Sequence, residues 1–171
     1  MWKIVIITWV SWSWKTTIQD RLKEEGWYKP INFTTRKPRS NEELDDYVFI
    51  TKKQFFKKLE NWDFLEFTTY WWNYYWISKF DIDNRSFAII VDPIGRSQLI
   101  KYFETLWLKY HLIFLEIDEH TQKQRLINRW DNKSDIDKRL LDRKWFESTN
   151  ESVIIPATHS TDFIVDYILD L

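Results

Sequence analysis

Trp9-Val10-Ser11-Trp12-Ser13-Trp14-Lys15-Thr16-Thr17 decides how the chain is read. It has the frame of a phosphate-binding loop, whose pattern is glycine, four residues, then Gly-Lys-Ser/Thr. Trp9 and Trp14 hold the two glycine positions, while Lys15 and Thr16 match the pattern. Upstream, the apolar run Ile4–Thr8 reads as a buried strand, and downstream a helical pattern runs from Thr17 to Glu25. Strand, loop and helix in that order are the context the motif requires. In such a loop Lys15 meets the β- and γ-phosphates of a nucleotide, and the Thr16 hydroxyl meets Mg²⁺.

Tryptophan cannot stand in for glycine here. The loop works because its backbone N–H groups turn inward around phosphate, some from conformations that only glycine adopts cheaply. The composition offers a resolution. The chain of 171 residues has 2 Gly and 12 Trp, whereas average usage of about 7% predicts roughly a dozen glycines. Many of the tryptophans also sit where a chain wants glycine, as in Asn61-Trp62-Asp63, Tyr70-Trp71-Trp72-Asn73 and Arg129-Trp130-Asp131. The pattern points to a decoding difference, in which a codon read as glycine in the natural host, UGA, has been written as tryptophan. The competing reading is a tryptophan-rich core, since indole buries a large apolar area.

Bulk properties bound the class. The length suits one domain with a proper core. The net charge of −1 leaves no global field toward nucleic acid or a membrane surface. Zero cysteines exclude disulfides and thiolate metal sites and fit a cytoplasmic protein. No apolar run approaches the roughly twenty residues of a spanning helix, and the N-terminus lacks signal-peptide architecture.

Strand-like runs recur at Ile4–Thr8, Ile31–Thr34, Phe87–Val91, Leu112–Ile117 and Val153–Ile155. Between them, Leu99, Ile100, Phe103, Leu106 and Trp107 recur at helical spacing, which predicts a helix over 98–108. Thr51-Lys-Lys-Gln54 and Thr121-Gln-Lys-Gln124 fit the capping box and predict helix starts, and a final helix is expected over 160–169. Strand–helix alternation predicts an α/β fold with a parallel sheet and helices on both faces. The stretch 36–75 breaks the rhythm, with short strands expected at Tyr47–Ile50, Phe64–Thr69 and Tyr74–Ser78, and reads as a small, partly antiparallel insert. A polar segment, 129–138, has the charge density of a mobile lid.

Two further clusters carry chemistry. In Thr34-Thr35-Arg36-Lys37-Pro38-Arg39, two guanidinium groups three residues apart can grip one phosphate. A solvated basic turn is the plainer reading of that stretch alone, and Tyr47 adds a phenol that could donate to the same anion. Glu66 lies in an apolar strand, where an unpaired charge is costly; its partner is either a purine with N–H donors or a basic side chain of the core.

The ordered set of phosphate loop, Thr-Thr-Arg-x-Pro-Arg, Asp46-Tyr47-Val48-Phe49, Phe64-Leu65-Glu66 and Asn73-Tyr74-Tyr75 resembles the guanylate kinases, of the nucleoside monophosphate kinase group, over nearly the full length. That family has glycine where Trp72, Trp76 and Trp130 stand, which adds to the misread-glycine hypothesis. The resemblance implies a P-loop core of about residues 1–31, 79–128 and 139–171, an NMP-binding insert of about 32–78 and a lid of about 129–138. It implies ATP and GMP as substrates and Mg²⁺ with the ATP, held at Thr16. Lys15, Arg36, Arg129 and Arg139 take catalytic positions. Trp9, Val10, Ser11, Trp12, Ser13, Trp14, Lys15, Thr16 and Thr17 line the ATP phosphates, and Asn32, Arg36, Arg39, Tyr47, Glu66, Tyr75, Ser78 and Asp92 the GMP. Glu66 would accept from guanine N1 and N2. Ile77 stands where the family has a hydroxyl facing O6, Asn32 replaces a serine, and Pro156-Ala157-Thr158 replaces an adenine-seating Asn-Asp pair. Those departures leave phosphoryl transfer intact but open the alternative of a kinase for another nucleoside monophosphate; a donor loop blocked by real tryptophans would instead make the chain a catalytically inactive binding module on the same fold.

Overall fold

The computed structural model describes residues 2–9, 15–38, 47–61, 63–70, 72–79, 85–128, 132–143, 146 and 153–171. Four strands form a fully parallel sheet in the order β6-β1-β7-β8: β1 (Ile4–Trp9), β6 (Phe87–Val91), β7 (His111–Glu116) and β8 (Val153–Pro156). Side chains alternate across each strand, so both faces of an apolar strand must be covered. Val5, Ile7, Ala88, Ile90, Ile113 and Leu115 pack with Ile18 and Leu22 of α1 (Lys15–Glu24) and Ile164, Val165 and Ile168 of α6 (Thr161–Asp170). Their neighbours Ile4, Ile6, Phe87, Ile89 and Leu112 turn the other way, onto Leu99 and Phe103 of α3 (Pro93–Thr105). The expected α/β architecture, a parallel sheet between helices, is present.

A second sheet, ordered β3-β2-β5-β4, forms the insert: β2 (Asn32–Thr34), β3 (Val48–Phe49), β4 (Phe64–Tyr70) and β5 (Asn73–Ser78). β5 runs antiparallel to both neighbours and β3 parallel to β2. Residues paired across a sheet share a face, which sorts this sheet cleanly. Phe33, Trp76 and Phe67 are paired in register, and Phe55 of α2 (Lys52–Glu60) stacks on that side against Tyr74, with centroids 4.1 Å apart. The opposite face carries Asn32, Thr34, Glu66, Thr68 and Tyr75. α2 begins at the expected capping box of Thr51 and Gln54.

Three helix boundaries depart from the sequence expectation. α3 starts at Pro93, five residues before the apolar period, because the Asp92 side chain caps it by accepting from the Gly95 N–H at 2.8 Å. It ends at Thr105, so Leu106 and Trp107 lie beyond the helix and are exposed. α4 (Glu119–Asn128) starts before Thr121, whose N–H and hydroxyl both donate to Asp118 rather than opening a box with Gln124. Of the segment 129–138, residues 129–131 lie outside the described residues and 133–138 form the first turns of α5 (Lys133–Asp142), capped by Asn132.

The backbone speaks to the misread-glycine hypothesis. Among the described residues, the non-glycine residues with positive φ are Trp72 (65°) and Trp107 (56°), 86% and 94% exposed. Helices α1 and α3 end in the same motif. Gly26 N–H donates to Lys23 and Trp27 N–H to Leu22; Trp107 N–H donates to Glu104 and Leu108 N–H to Phe103. This is the helix ending that calls for a left-handed residue, usually glycine. Gly26 fills that position in α1 with φ 83°, and Trp107 fills it in α3. Trp72 lies in the connection between Tyr70 and Asn73, where a two-residue hairpin demands positive φ. An L side chain there costs about 1–2 kcal/mol while an exposed indole recovers little by burial. Trp107→Gly is therefore expected to raise stability by about 1 kcal/mol, read as a higher urea midpoint at unchanged slope; an unchanged or lower midpoint would contradict the assignment. Trp76 differs. It is 1% exposed and stacked on Phe33, and its Nε1 has no hydrogen-bond partner. Packing fills that position even though the orphaned N–H is unfavourable.

Candidate active site

The donor end is set by β1 and α1. β1 lies inside the sheet between β6 and β7, and its last residue, Trp9, is in register with Leu115. Lys15 and Thr16 occupy the first turn of α1. A helix N-terminus facing the carboxyl end of a parallel strand is where backbone N–H groups and the helix dipole favour an anion. Val10, Ser11, Trp12, Ser13 and Trp14 lie outside the described residues, and Thr17 is exposed on α1. Just before the loop, the Thr8 hydroxyl is buried with no hydrogen-bond partner.

The acceptor end is set by the insert sheet. Asn32, Thr34, Glu66 and Thr68 are all buried polar residues, and all lie on the face that Tyr75 shares. Each buried polar group on a sheet face needs a hydrogen bond, and this face sets four of them around Ile77, which packs into the core. At its rim, the Arg36 guanidinium sits 5.1 Å over the Tyr47 ring and 5.3 Å over Phe49, and Tyr47 meets Tyr75 edge-on at 6.2 Å. Three of the residues expected at one phosphate are thus brought together; the fourth, Arg39, lies outside the described residues. The turn carrying Arg36 is fixed by two threonines that the sequence reading passed over. Thr34 Oγ1 donates to the Tyr74 carbonyl and accepts from the Arg36 N–H, while Thr35 Oγ1 accepts from the Tyr74 N–H.

Glu66 is 5% exposed and lies against the first turn of α3. Asp92, expected at the same base, caps that turn, so the two carboxylates are neighbours. Asn32 donates to the Pro30 carbonyl and pairs across the sheet with the buried Ile77. Ser78 alternates to the aromatic face of β5, away from Glu66 and Tyr75.

Arg139 lies near the end of β4. It is buried on α5, and its neighbour one turn on, Asp142, accepts a hydrogen bond from the Tyr70 hydroxyl at the end of β4. Burial first, and then the Asp142 carboxylate, hold the Tyr70 phenol well above the usual tyrosine range; the Arg139 charge nearby opposes them. Tyr70 was not legible as a site residue, since a tyrosine at a strand end carries no motif. Arg129 lies outside the described residues.

A helix start after the interior strand of a parallel sheet, together with an insert that carries an arginine–tyrosine rim and a buried carboxylate, defines the P-loop nucleotide-kinase class. The guanylate kinase family profile matches residues 4–144. A guanylate kinase of Chlamydia felis is 38% identical over 73 residues, which span 40% of this chain and 36% of that protein. One from Fusobacterium nucleatum subsp. nucleatum is 29% identical over 164 residues, covering 89% of this chain and 86% of the other. Among solved structures, guanylate kinase from Anaplasma phagocytophilum superposes with a TM-score of 0.70 at 18% identity, over 99% of this chain and 83% of that one. The chain belongs to the guanylate kinase family.

Proposed function

We propose that this chain transfers the terminal phosphoryl group of ATP to GMP, giving ADP and GDP. The observation that carries this reading is the insert face on which buried Glu66 lies beside the Asp92 turn, with the Arg36–Tyr47–Tyr75 rim along the same sheet. A carboxylate can accept two N–H donors side by side, as guanine N1 and N2 offer; adenine presents an acceptor at N1 and would be repelled. The phosphate of the bound nucleotide then falls to Arg36, Arg39, Tyr47 and Tyr75, with Asn32 and Asp92 completing the acceptor site; Ser78, on the opposite face of β5, has no part in it.

In the reaction an oxygen of the GMP phosphate attacks the γ-phosphorus of ATP while the bond to the bridging oxygen breaks and ADP leaves. The protein's work is alignment and charge stabilisation. Lys15 and the amides of residues 9–17 hold the donor phosphates; Arg129 and Arg139 bring positive charge as the segment 129–138 closes, which also excludes water. Mg²⁺ fits this reading because it is commonly held by one or two protein oxygens plus substrate phosphates, and Thr16, whose backbone lies in the first turn of α1, would be the residue to hold it. When bound, the ion neutralises charge on the β- and γ-oxygens. We read the domain as a core of about 1–31, 79–128 and 139–171 around an insert of about 32–78, acting in the cytoplasm. Among the described residues no helix is long and apolar enough to cross a membrane.

A panel of acceptors tests the reading. Protein with glycine at positions 9, 12 and 14 is expected to form ADP with GMP far faster than with AMP, CMP or UMP. Preference for another nucleotide would reassign the acceptor, and no turnover with any of them would favour the binding module.

A further inference from the structure

The base-reading carboxylate packs against a helix of the core. A Cβ added at Gly95 would lie 2.7 Å from Glu66 Oε2, and 3.1 Å from Val91 Cβ on the other side. Glu66 therefore occupies the space that a side chain at 95 would take, and Val91 crowds the same position. One turn further along α3, the Gln98 side chain binds both backbone polar groups of Phe67, the residue after Glu66. Its Oε1 accepts from the Phe67 N–H at 3.1 Å, and its Nε2 donates to the Phe67 carbonyl at 2.8 Å. β4 is an edge strand of the insert sheet, so the Gln98 amide acts as one residue of the strand that would have paired there. Two hydrogen bonds to one residue fix both the position and the rotation of β4 at Glu66, and the absent side chain at 95 gives the carboxylate its seat.

We propose that Gly95 and Gln98 are positioning residues that set the enzyme's discrimination for guanine, acting through Glu66. This rests on Glu66 reading the base as set out under the proposed function. A carboxylate held in one place can accept from N1–H and the 2-amino group together; one free to swing satisfies a base lacking the 2-amino group almost as well. The signature is thus a ratio between two ligands that differ in that amino group alone, which a general loss of stability would not move.

Binding of GMP and of IMP, measured by calorimetry without ATP, reads that ratio independently of the donor loop. The unaltered chain is expected to bind GMP about 10- to 100-fold tighter than IMP, as a charge-assisted hydrogen bond allows. Gly95→Ala should bring the two within about threefold, and Gln98→Ala should cut the ratio at least about fivefold, each chiefly by weakening GMP. If the unaltered chain binds both alike, the base-pocket reading of Glu66 fails. If it prefers GMP and both variants keep the ratio, the positioning role is overturned. Should Gly95→Ala not fold, by thermal unfolding, Gln98→Ala alone decides on the same criterion.

Discussion

Replacing Lys15 with alanine, in protein with glycine at positions 9, 12 and 14, is expected to lower kcat by at least about 10³-fold, roughly 4 kcal/mol of transition-state stabilisation. The reasoning starts from the backbone. Lys15 stands in the first turn of α1, after the segment that follows the interior strand β1, and on the proposed function its ammonium meets the donor phosphates, anions that a helix N-terminus also favours. Charge moves onto the γ-phosphoryl oxygens and the leaving β-phosphate as the bond breaks, and a fixed cation there stabilises the transition state more than the bound substrate. Loss should therefore fall mainly on kcat, with a smaller change in KM for ATP. Steady-state kinetics with varied ATP would check this, and an unchanged kcat would refute the donor assignment.

The second large effect concerns the loop itself. With glycine at 9, 12 and 14, ATP should bind with an affinity in the roughly 1 µM–1 mM range of enzyme substrates; with tryptophan at those positions, calorimetry should detect no binding. Backbone N–H groups can converge on phosphate only where the chain adopts conformations closed to L side chains and approaches the ligand closely. Three indoles in a nine-residue segment obstruct both. GMP binding should be nearly the same in the two proteins, because the residues proposed to hold GMP lie chiefly in the insert and not among residues 9–14. Equal ATP affinity in both would mean that the donor phosphates lie elsewhere.

Much of this was legible beforehand. The parallel sheet followed from apolar runs such as Ile4–Thr8 and Phe87–Val91, and the insert from the break in rhythm after Arg36. The clustering of Arg36, Tyr47 and Tyr75 could be expected from ordered motifs, although their ring contacts could not. What escaped were interactions between elements distant in sequence. The hydrogen bonds of Gln98 to Phe67, the Tyr70–Asp142 pair and the seat that Gly95 leaves for Glu66 each join residues whose proximity is created by folding. Helix starts were misplaced where a single aspartate caps the chain ahead of the recognisable signal: Asp118 ahead of the box at Thr121, and Asp92 ahead of the apolar period from residue 98. Trp107 was read as part of an apolar helical stripe because periodicity counts an indole as core; the backbone at that position instead takes glycine's conformation.

The central claim is that side-chain-free backbone surrounds the donor phosphates ahead of Lys15, and the mass of the peptide spanning residues 4–15 from natively produced protein tests it most directly. Glycine masses at positions 9, 12 and 14 are the predicted result. Tryptophan masses there, in protein that still phosphorylates GMP, would contradict it.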